Sequence, residues 1–173
     1  MKIFDNKILF FVFFSFLLME WTNFSDVLAQ TKKIEIIHAN SLEFDEKLGK
    51  NVKRLIGNVK FRHESTLMFC DSAYFYPNNS LDAFGNIRIQ QGDTINITGQ
   101  LLKYDGNTQK AELQKNILLR DRDMTLATEQ LFYDMSSASA NYYNGGTITG
   151  SKKDTLTSER GYYFPKDKKF SFF

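Results

Sequence analysis

Cysteine, proline and histidine are scarce in this chain of 173 residues, and each scarcity narrows what the protein can be. Cys70 is the single cysteine, so no intrachain disulfide can form. The two prolines are Pro77 and Pro165, and the two histidines, His38 and His63, have no partner at ligand spacing, which argues against a metal site. The domain must therefore be held together by its own apolar core and backbone hydrogen bonds.

An excess of charge of one sign is also lacking. The 22 Lys and Arg residues nearly balance the 20 Asp and Glu residues, and no basic cluster is interleaved with aromatic residues. This balance disfavours a nucleic-acid partner. The chain has no phosphate-binding glycine loop, no Gly-x-Ser-x-Gly motif and no His-Glu-x-x-His pair, so its motifs indicate neither an enzyme nor a cofactor.

Long hydrophobic runs are missing except near the N-terminus. Two lysines precede an apolar run from 8 to 19, and residues 27–29 read Val-Leu-Ala before Gln30. This layout is typical of a secretory signal peptide, so we expect residues 1–29 to be cleaved and residues 30–173 to be exported. The alternative is an uncleaved inner-membrane anchor, but the apolar run gives only about 18 Å of helix, short of the roughly 30 Å core of a bilayer.

One short phrase occurs five times in the rest of the chain. Each copy places an aliphatic or small residue two positions before an aromatic ring, and successive copies lie 31, 29, 29 and 30 residues apart. The first members are Leu42, Ala73, Leu102, Leu131 and Gly161, and the rings are Phe44, Phe75, Tyr104, Tyr133 and Tyr163. Spacing this regular indicates an internal repeat of about 30 residues.

Two further apolar columns run in step with the first. They are Val59, Ile87, Ile117 and Ile148, and Leu67, Ile95, Leu126 and Leu156. Within each segment apolar residues alternate with polar ones, as in a strand with one buried face. Polar turn sequences separate the segments at 77–80, 90–93, 105–108, 143–146 and 151–154.

These repeats predict an all-β protein. No segment carries a convincing 3.6-residue apolar stripe, and a unit with one apolar face cannot bury that face alone. Stacking the units pools their apolar columns, so we expect repeated antiparallel strands around one elongated interior. The seven-residue step from Ile95 to Leu102 predicts a β-bulge near 97–102 that shifts the alternation.

The sequence stops in the middle of a fifth repeat. Phe170, Phe172 and Phe173 continue a strand, but no third segment follows. An unpaired strand edge invites pairing with another chain. Two hypotheses follow: the edge serves assembly, including a homo-oligomer, or the natural protein continues beyond Phe173. The ending in mid-repeat slightly favours the second.

The repeated phrases resemble the OstA/LptA family, the periplasmic bridge proteins of lipopolysaccharide transport. The resemblance spans about residues 34 to 170, and the stretch 70–94 is most like the OstA-like proteins of Bacteroidetes-type bacteria. The motifs that carry it are the L-x-F/Y phrases at 42–44, 102–104 and 131–133 and the GNV and GNI strands at 57–59 and 85–87.

The resemblance implies a twisted, partly open β-jellyroll whose apolar groove holds the acyl chains of lipopolysaccharide or a related glycolipid. It also implies a periplasmic location, contact with other jellyroll-bearing transport proteins through strand edges, and no catalytic residues. An apolar trough suits a lipid because each methylene exposed to water costs about 0.8 kcal/mol. The residues expected to line the groove are Leu42, Phe44, Val59, Phe61, Phe75, Ile87, Leu102, Tyr104, Ile117, Leu131 and Tyr133.

A closed core is the competing interpretation of the same columns, and it predicts a structural β-repeat, solenoid-like or adhesin-like, without a ligand.

Asp71, Glu129 and Glu159 share one repeat column, but their wide spacing indicates solvent-facing or turn-setting charges rather than a catalytic pair. Cys70 is interpreted as a small core residue. The RDRD sequence at 120–123 is interpreted as a solvated turn, with a contact to lipid phosphates as the alternative.

Overall fold

The computed structural model describes residues 32–164 and 169–173, and the strands in these residues confirm the all-β prediction. The predicted leader, 1–29, lies outside the described residues. In the described part, thirteen strands join in one antiparallel sheet. No helix there is long and apolar enough to cross a membrane.

The strands differ in length along the chain. The six central ones are β3 (Lys53–His63), β4 (Thr66–Tyr76), β5 (Ser80–Gln91), β6 (Ile95–Asp105), β7 (Lys110–Arg120) and β8 (Met124–Asp134). Shorter strands flank them: β1 (Glu35–His38), β2 (Ser41–Phe44), β9 (Ser139–Tyr142), β10 (Gly146–Gly150), β11 (Thr155–Ser158), β12 (Gly161–Phe164) and β13 (Lys169–Phe172). The predicted polar turns fall between strands, as expected.

Each central strand is interrupted by a bulge near its middle, where the pairing register shifts. In β3 and β5 the bulge is a Gly-Asn pair, with φ of 75° and 49° at Gly57 and Asn58 and of 73° and 44° at Gly85 and Asn86. Glycine and asparagine are the residues that most readily adopt this left-handed conformation. The Gly-Asn pairs therefore mark bends within strands.

The bulges keep one face of every central strand turned inward. In β5 the buried residues step by four across the bulge, from Ala83 to Ile87, and in β6 by three, from Gly99 to Leu102. The bulge predicted near 97–102 is therefore present, and equivalents occur in the other central strands. An uninterrupted strand could not bend and still present its apolar side chains to one interior.

The line of bulges, here called the spine, divides the sheet into two arms. The first arm contains the halves of the central strands on the side where β2 and β9 pair, from 53–56 in β3 to 130–134 in β8. The second arm contains the other halves, on the side where β1 and β10 pair, from 59–63 in β3 to 124–128 in β8. Apolar side chains from both arms form a single buried cluster. One contact across it joins the rings of Phe61 and Phe75, whose centroids lie 6.2 Å apart.

Two members of the third predicted column do not follow it. Leu67 is only half-buried, because its neighbours Thr66 and Met68 carry the inward face of β4. Leu156 is 42% exposed because β11 is an edge strand that pairs with β10 alone among the described strands. The column was therefore out of phase at Leu67, whereas Leu156 is the register partner of buried Ile148 and is exposed by its edge position. Ile95 and Leu126 are buried.

Candidate functional site

Most of the residues predicted to line a groove lie together in the buried interior. Phe75 is half-buried and packs against the same cluster. The members that are 2% exposed or less are Val59, Phe61, Ile87, Leu102, Tyr104, Ile117, Leu131 and Tyr133. In this structure the interior is thus filled by its own side chains.

Leu42 and Phe44 lie elsewhere. They are 46% and 64% exposed on β2, which pairs with β3 alone among the described strands. The first copy of the repeat stands at the end of the stack, so the face that other copies bury remains uncovered here. The repeat pattern made this copy equivalent to the others because it does not show which copy is terminal.

Three tyrosines of the aromatic column close the interior on the side opposite the spine. Tyr104 Oη lies 2.5 Å from His63 Nδ1, and the Tyr133 hydroxyl donates to Gln91 Oε1 at 2.5 Å. The Tyr163 hydroxyl donates to the Asp121 carboxylate in the same way. Each tyrosine belongs to the first arm and each partner to the tip of the second arm. We call this line of three contacts the seam.

The hydrogen bond between His63 and Tyr104 has a defined direction. His63 Nε2 lies 2.8 Å from the carbonyl oxygen of Lys32, which can only accept, so Nε2 carries the proton. In the neutral ring Nδ1 is then the acceptor, and Tyr104 donates. Burial raises the pKa of Tyr104, Tyr133 and Tyr163, so all three hydroxyls remain protonated donors at neutral pH.

Two further hydrogen bonds cross the seam, and a side-chain amide is the donor in each. Gln91 Nε2 donates to the carbonyl oxygen of Met135 at 2.5 Å, and Gln109 Nε2 donates to Glu64 Oε1 at 3.1 Å. The two arms are thus joined by continuous backbone at the spine and by side-chain hydrogen bonds at the seam. The seam is the side along which the arms can separate without breaking a strand ladder.

The segment 32–34 covers the first part of the seam. Ile34 is buried, and its backbone N–H donates to Asn79 Oδ1 of the first arm at 2.9 Å. The Lys32 carbonyl oxygen is held by His63 of the second arm, and Lys32 Nζ lies 3.8 Å from Glu64 Oε1. The segment therefore bridges both arms at this end of the interior.

The acidic column stabilises bulges. Asp71 accepts a hydrogen bond from Asn86 Nδ2 at 2.8 Å, and Glu129 accepts one from the Asn116 backbone N–H at 3.2 Å. Asn86 and Asn116 are both left-handed bulge residues. Glu159 differs from the other two: its backbone carbonyl accepts a hydrogen bond from the N–H of Gly145, which lies in the connection between β9 and β10.

Cys70 is a buried core residue, and burial, followed by the charge of Asp71, raises the pKa of its thiol to about 12. Within the described ranges, no group of three or more His, Cys, Asp and Glu residues could hold a metal ion.

Sequence reasoning missed the seam partners. His63, Gln91 and Asp121 lie at nearly the repeat spacing, which was the available signal. They differ in residue type, so no shared motif marks them. Asp121 was interpreted as part of a solvated turn, but its carboxylate bonds Tyr163.

Comparison with known proteins agrees with this architecture. The family model described as OstA-like protein matches residues 31–173. The fold is similar to the crystal structure of LptH, the LptA-homologous periplasmic component of the conserved lipopolysaccharide transport device from Pseudomonas aeruginosa, with 16% sequence identity and a TM-score of 0.51. The match covers 74% of this chain and 83% of that chain. No curated protein matches the chain. The family model extends over the repeats, the arms and the seam, and the chain belongs to the OstA-like protein family.

Proposed function

We propose that this protein is a periplasmic carrier module for lipopolysaccharide or a related glycolipid, acting in outer-membrane assembly. Its interior takes up the acyl chains, and the sugars remain at the surface. The leader at 1–29 directs export and is removed. The family and the fold shared with a periplasmic transport component support this function.

The proposal rests on an apolar interior that crosses successive repeats and is closed on one side without a strand ladder, by hydrogen bonds that involve side chains and by the segment 32–34. A typical intramolecular hydrogen bond contributes only about 1 kcal/mol net to stability. Separating the arms at the seam therefore costs far less than breaking the ladders of the central strands. Acyl chains that enter replace the apolar contacts that the arms lose, so the open state is stabilised by its ligand.

Contact with other carriers uses the ends of the sheet. At one end β1 and β2 each pair with β3 alone among the described strands, and at the other end β13 pairs with β12 alone. Such edges accept an additional strand through backbone hydrogen bonds. Stacking with another jellyroll-bearing module at these edges would join the two interiors into one route.

A structural β-repeat without a ligand is the second candidate, and the burial of the interior favours it. Leu55, Leu113 and Leu119 are 0% exposed, as expected of a well-packed closed core. The two functions differ in one respect that can be measured. A carrier interior must open to lipid under native conditions, whereas a structural core must not.

Photo-crosslinking from inside and outside the interior separates the two functions. A benzophenone amino acid replaces Phe61, which is fully buried, or its outward neighbour Arg62, which is exposed. In cells that make lipopolysaccharide, we expect a lipid adduct from position 61 and none from position 62. Absence of an adduct at position 61 in folded, exported protein would support the structural repeat instead.

A further inference from the structure

A second concave surface lies on the outer face of the first arm. It is a groove of about 850 Å³ that runs across the strands. One row of its lining consists of successive cross-strand partners: Asp82, Lys103, Glu112, Phe132, Asn141 and Tyr162. These side chains alternate with interior residues such as Leu81 and Leu102, so the groove faces away from the apolar interior.

Aromatic rings form one wall of this groove. The ring centroids of Phe132 and Tyr143 lie 5.9 Å apart, and those of Tyr143 and Tyr162 lie 6.1 Å apart. Tyr143 and Phe164 are 43% and 40% exposed. Asn141 Nδ2 donates to the Tyr143 hydroxyl at 2.9 Å, which orients that ring beside a polar amide. Exposed aromatic groups gathered in a concavity are typical of a binding surface.

Carboxylates form another part of the lining, and they are held in place as acceptors. Glu112 Oε1 receives hydrogen bonds from Gln114 and Gln130 at 2.8 and 2.9 Å, and these bonds lower the pKa of the carboxyl. Asp134 Oδ1 receives bonds from Ser136 and from the Ser137 backbone. Partial burial of Asp134 opposes ionisation, but these bonds prevail and lower its pKa.

One oxygen of each of these two carboxylates is left for a ligand. The hydrogen bonds that Glu112 and Asp134 receive from the described residues go to Oε1 and Oδ1 respectively. Oε2 of Glu112 and Oδ2 of Asp134 can therefore accept donors from outside. An ionised carboxylate only accepts, so the complementary ligand must present donors such as hydroxyl groups.

Charge also limits the ligand. Among the described residues, the groove is lined by the carboxylates of Asp82, Asp105, Glu112 and Asp134 and by two ammonium groups, those of Lys103 and Lys110. Phosphates would meet net repulsion in such a lining. A neutral, hydroxyl-rich molecule with an apolar face would not.

We propose that this outer groove binds a saccharide, with the C–H face of a sugar ring packed on Tyr143 and Tyr162 and its hydroxyls donating to Glu112 and Asp134. Tyr104 and Tyr133 belong to strands that line the groove, and their hydroxyls lie at the seam, so the sugars of a glycolipid that enters through the seam would lie beside the groove. That source of the saccharide rests on the proposed carrier function. Binding of a free glycan does not.

The test measures binding of two probes to the full exported chain. The probes are lipopolysaccharide from the expression host and the acyl-free polysaccharide released from it by mild acid. Tyr143→Ser and Glu112→Gln alter the groove, whereas Tyr74→Ser is the matched control. Tyr74 is an outward-facing residue of the same arm, with its ring 6.0 Å from Phe84, and does not line the groove. We expect each groove variant to weaken binding at least tenfold and the control to leave it unchanged.

Two results support the saccharide site, and three overturn it. If the acyl-free polysaccharide binds with this variant pattern, the groove takes a saccharide without lipid. If only the intact glycolipid binds, and a benzophenone at Lys103 forms an adduct with it, the groove takes the head group. Either supports the proposal even if a probe at Phe61 forms no lipid adduct, which would count against the carrier function alone. Binding that all variants retain, or no binding of either probe, overturns the saccharide site. So does a change in self-association alone on Tyr143→Ser, which would assign the face to a second copy of the chain.

Discussion

Tyr104 combines two roles at the scale of a single residue. Its ring belongs to the repeated aromatic column, and its hydroxyl closes the seam at His63. Tyr104→Phe keeps the ring and leaves buried His63 Nδ1 without its donor. We expect this change to lower the free energy of unfolding by about 1–3 kcal/mol, because an unpaired buried polar atom loses its full solvation.

Urea denaturation measures this effect, and Tyr76→Phe is the control. Tyr76 also donates a hydrogen bond, to Asp82 at 3.0 Å, but its acceptor remains partly accessible to water. The control should therefore change stability by less than about 1 kcal/mol. Equal effects of the two substitutions would contradict the role assigned to the seam.

Cys70 reports on whether the interior is closed when no lipid is bound. Because burial raises its pKa to about 12, the thiol stays protonated at pH 8 in the folded protein, and iodoacetamide should label it very slowly. Unfolding in urea should restore rapid labelling, as measured by mass spectrometry. Equally rapid labelling of folded protein would show an interior open to solvent.

The same thiol makes stability depend on pH. In the unfolded chain it has its ordinary pKa of 9.0, so its contribution to the free energy of unfolding is lost as the pH rises from about 9 towards 12.

At the scale of the strand, the bulges determine how the repeats fold. Gly85 adopts a φ of 73°, and a Cβ there would lie 2.4 Å from Asp71 Oδ2. Gly85→Ala should destabilise the protein by about 2–4 kcal/mol, because left-handed strain and a steric clash combine. Gly92→Ala is the matched control, since Gly92 has a φ of 57° but a Cβ added there would meet no atom within 4 Å. It should cost only about 1–2 kcal/mol.

Thermal or urea unfolding of both alanine variants distinguishes strain from contact. A similar loss of stability in the two variants would mean that the contact with Asp71 contributes nothing.

The strand scale also shows what the sequence could predict. Alternation and turn residues indicated the strands, and one irregular interval indicated the bulge near 97–102. The Gly-Asn pairs at 57–58 and 85–86 also carried a bulge signal, but they were interpreted only as parts of strands.

At the scale of the whole molecule, the repeat predicted the interior better than its boundaries. Most residues predicted for the groove are buried together because every inner copy has a neighbour on each side. Leu42 and Phe44 remain exposed because, among the described strands, β2 pairs with β3 alone and no further strand covers it. The seam partners depend on which strand tips meet in space, and three different side chains fill that role. No local pattern could identify them.

Locking the seam tests the central claim most directly. Gln91→Cys and Tyr133→Cys, in a Cys70→Ala background, are joined by a short bis-methanethiosulfonate cross-linker that dithiothreitol removes. The readout is the lipopolysaccharide adduct formed in vitro by a benzophenone at Phe61. A control pair, Asn96→Cys and Arg120→Cys, joins register partners within one arm. We predict that cross-linking the seam lowers the adduct yield at least tenfold, that dithiothreitol restores it, and that the control pair has no effect. An undiminished adduct from the locked protein would contradict opening at the seam.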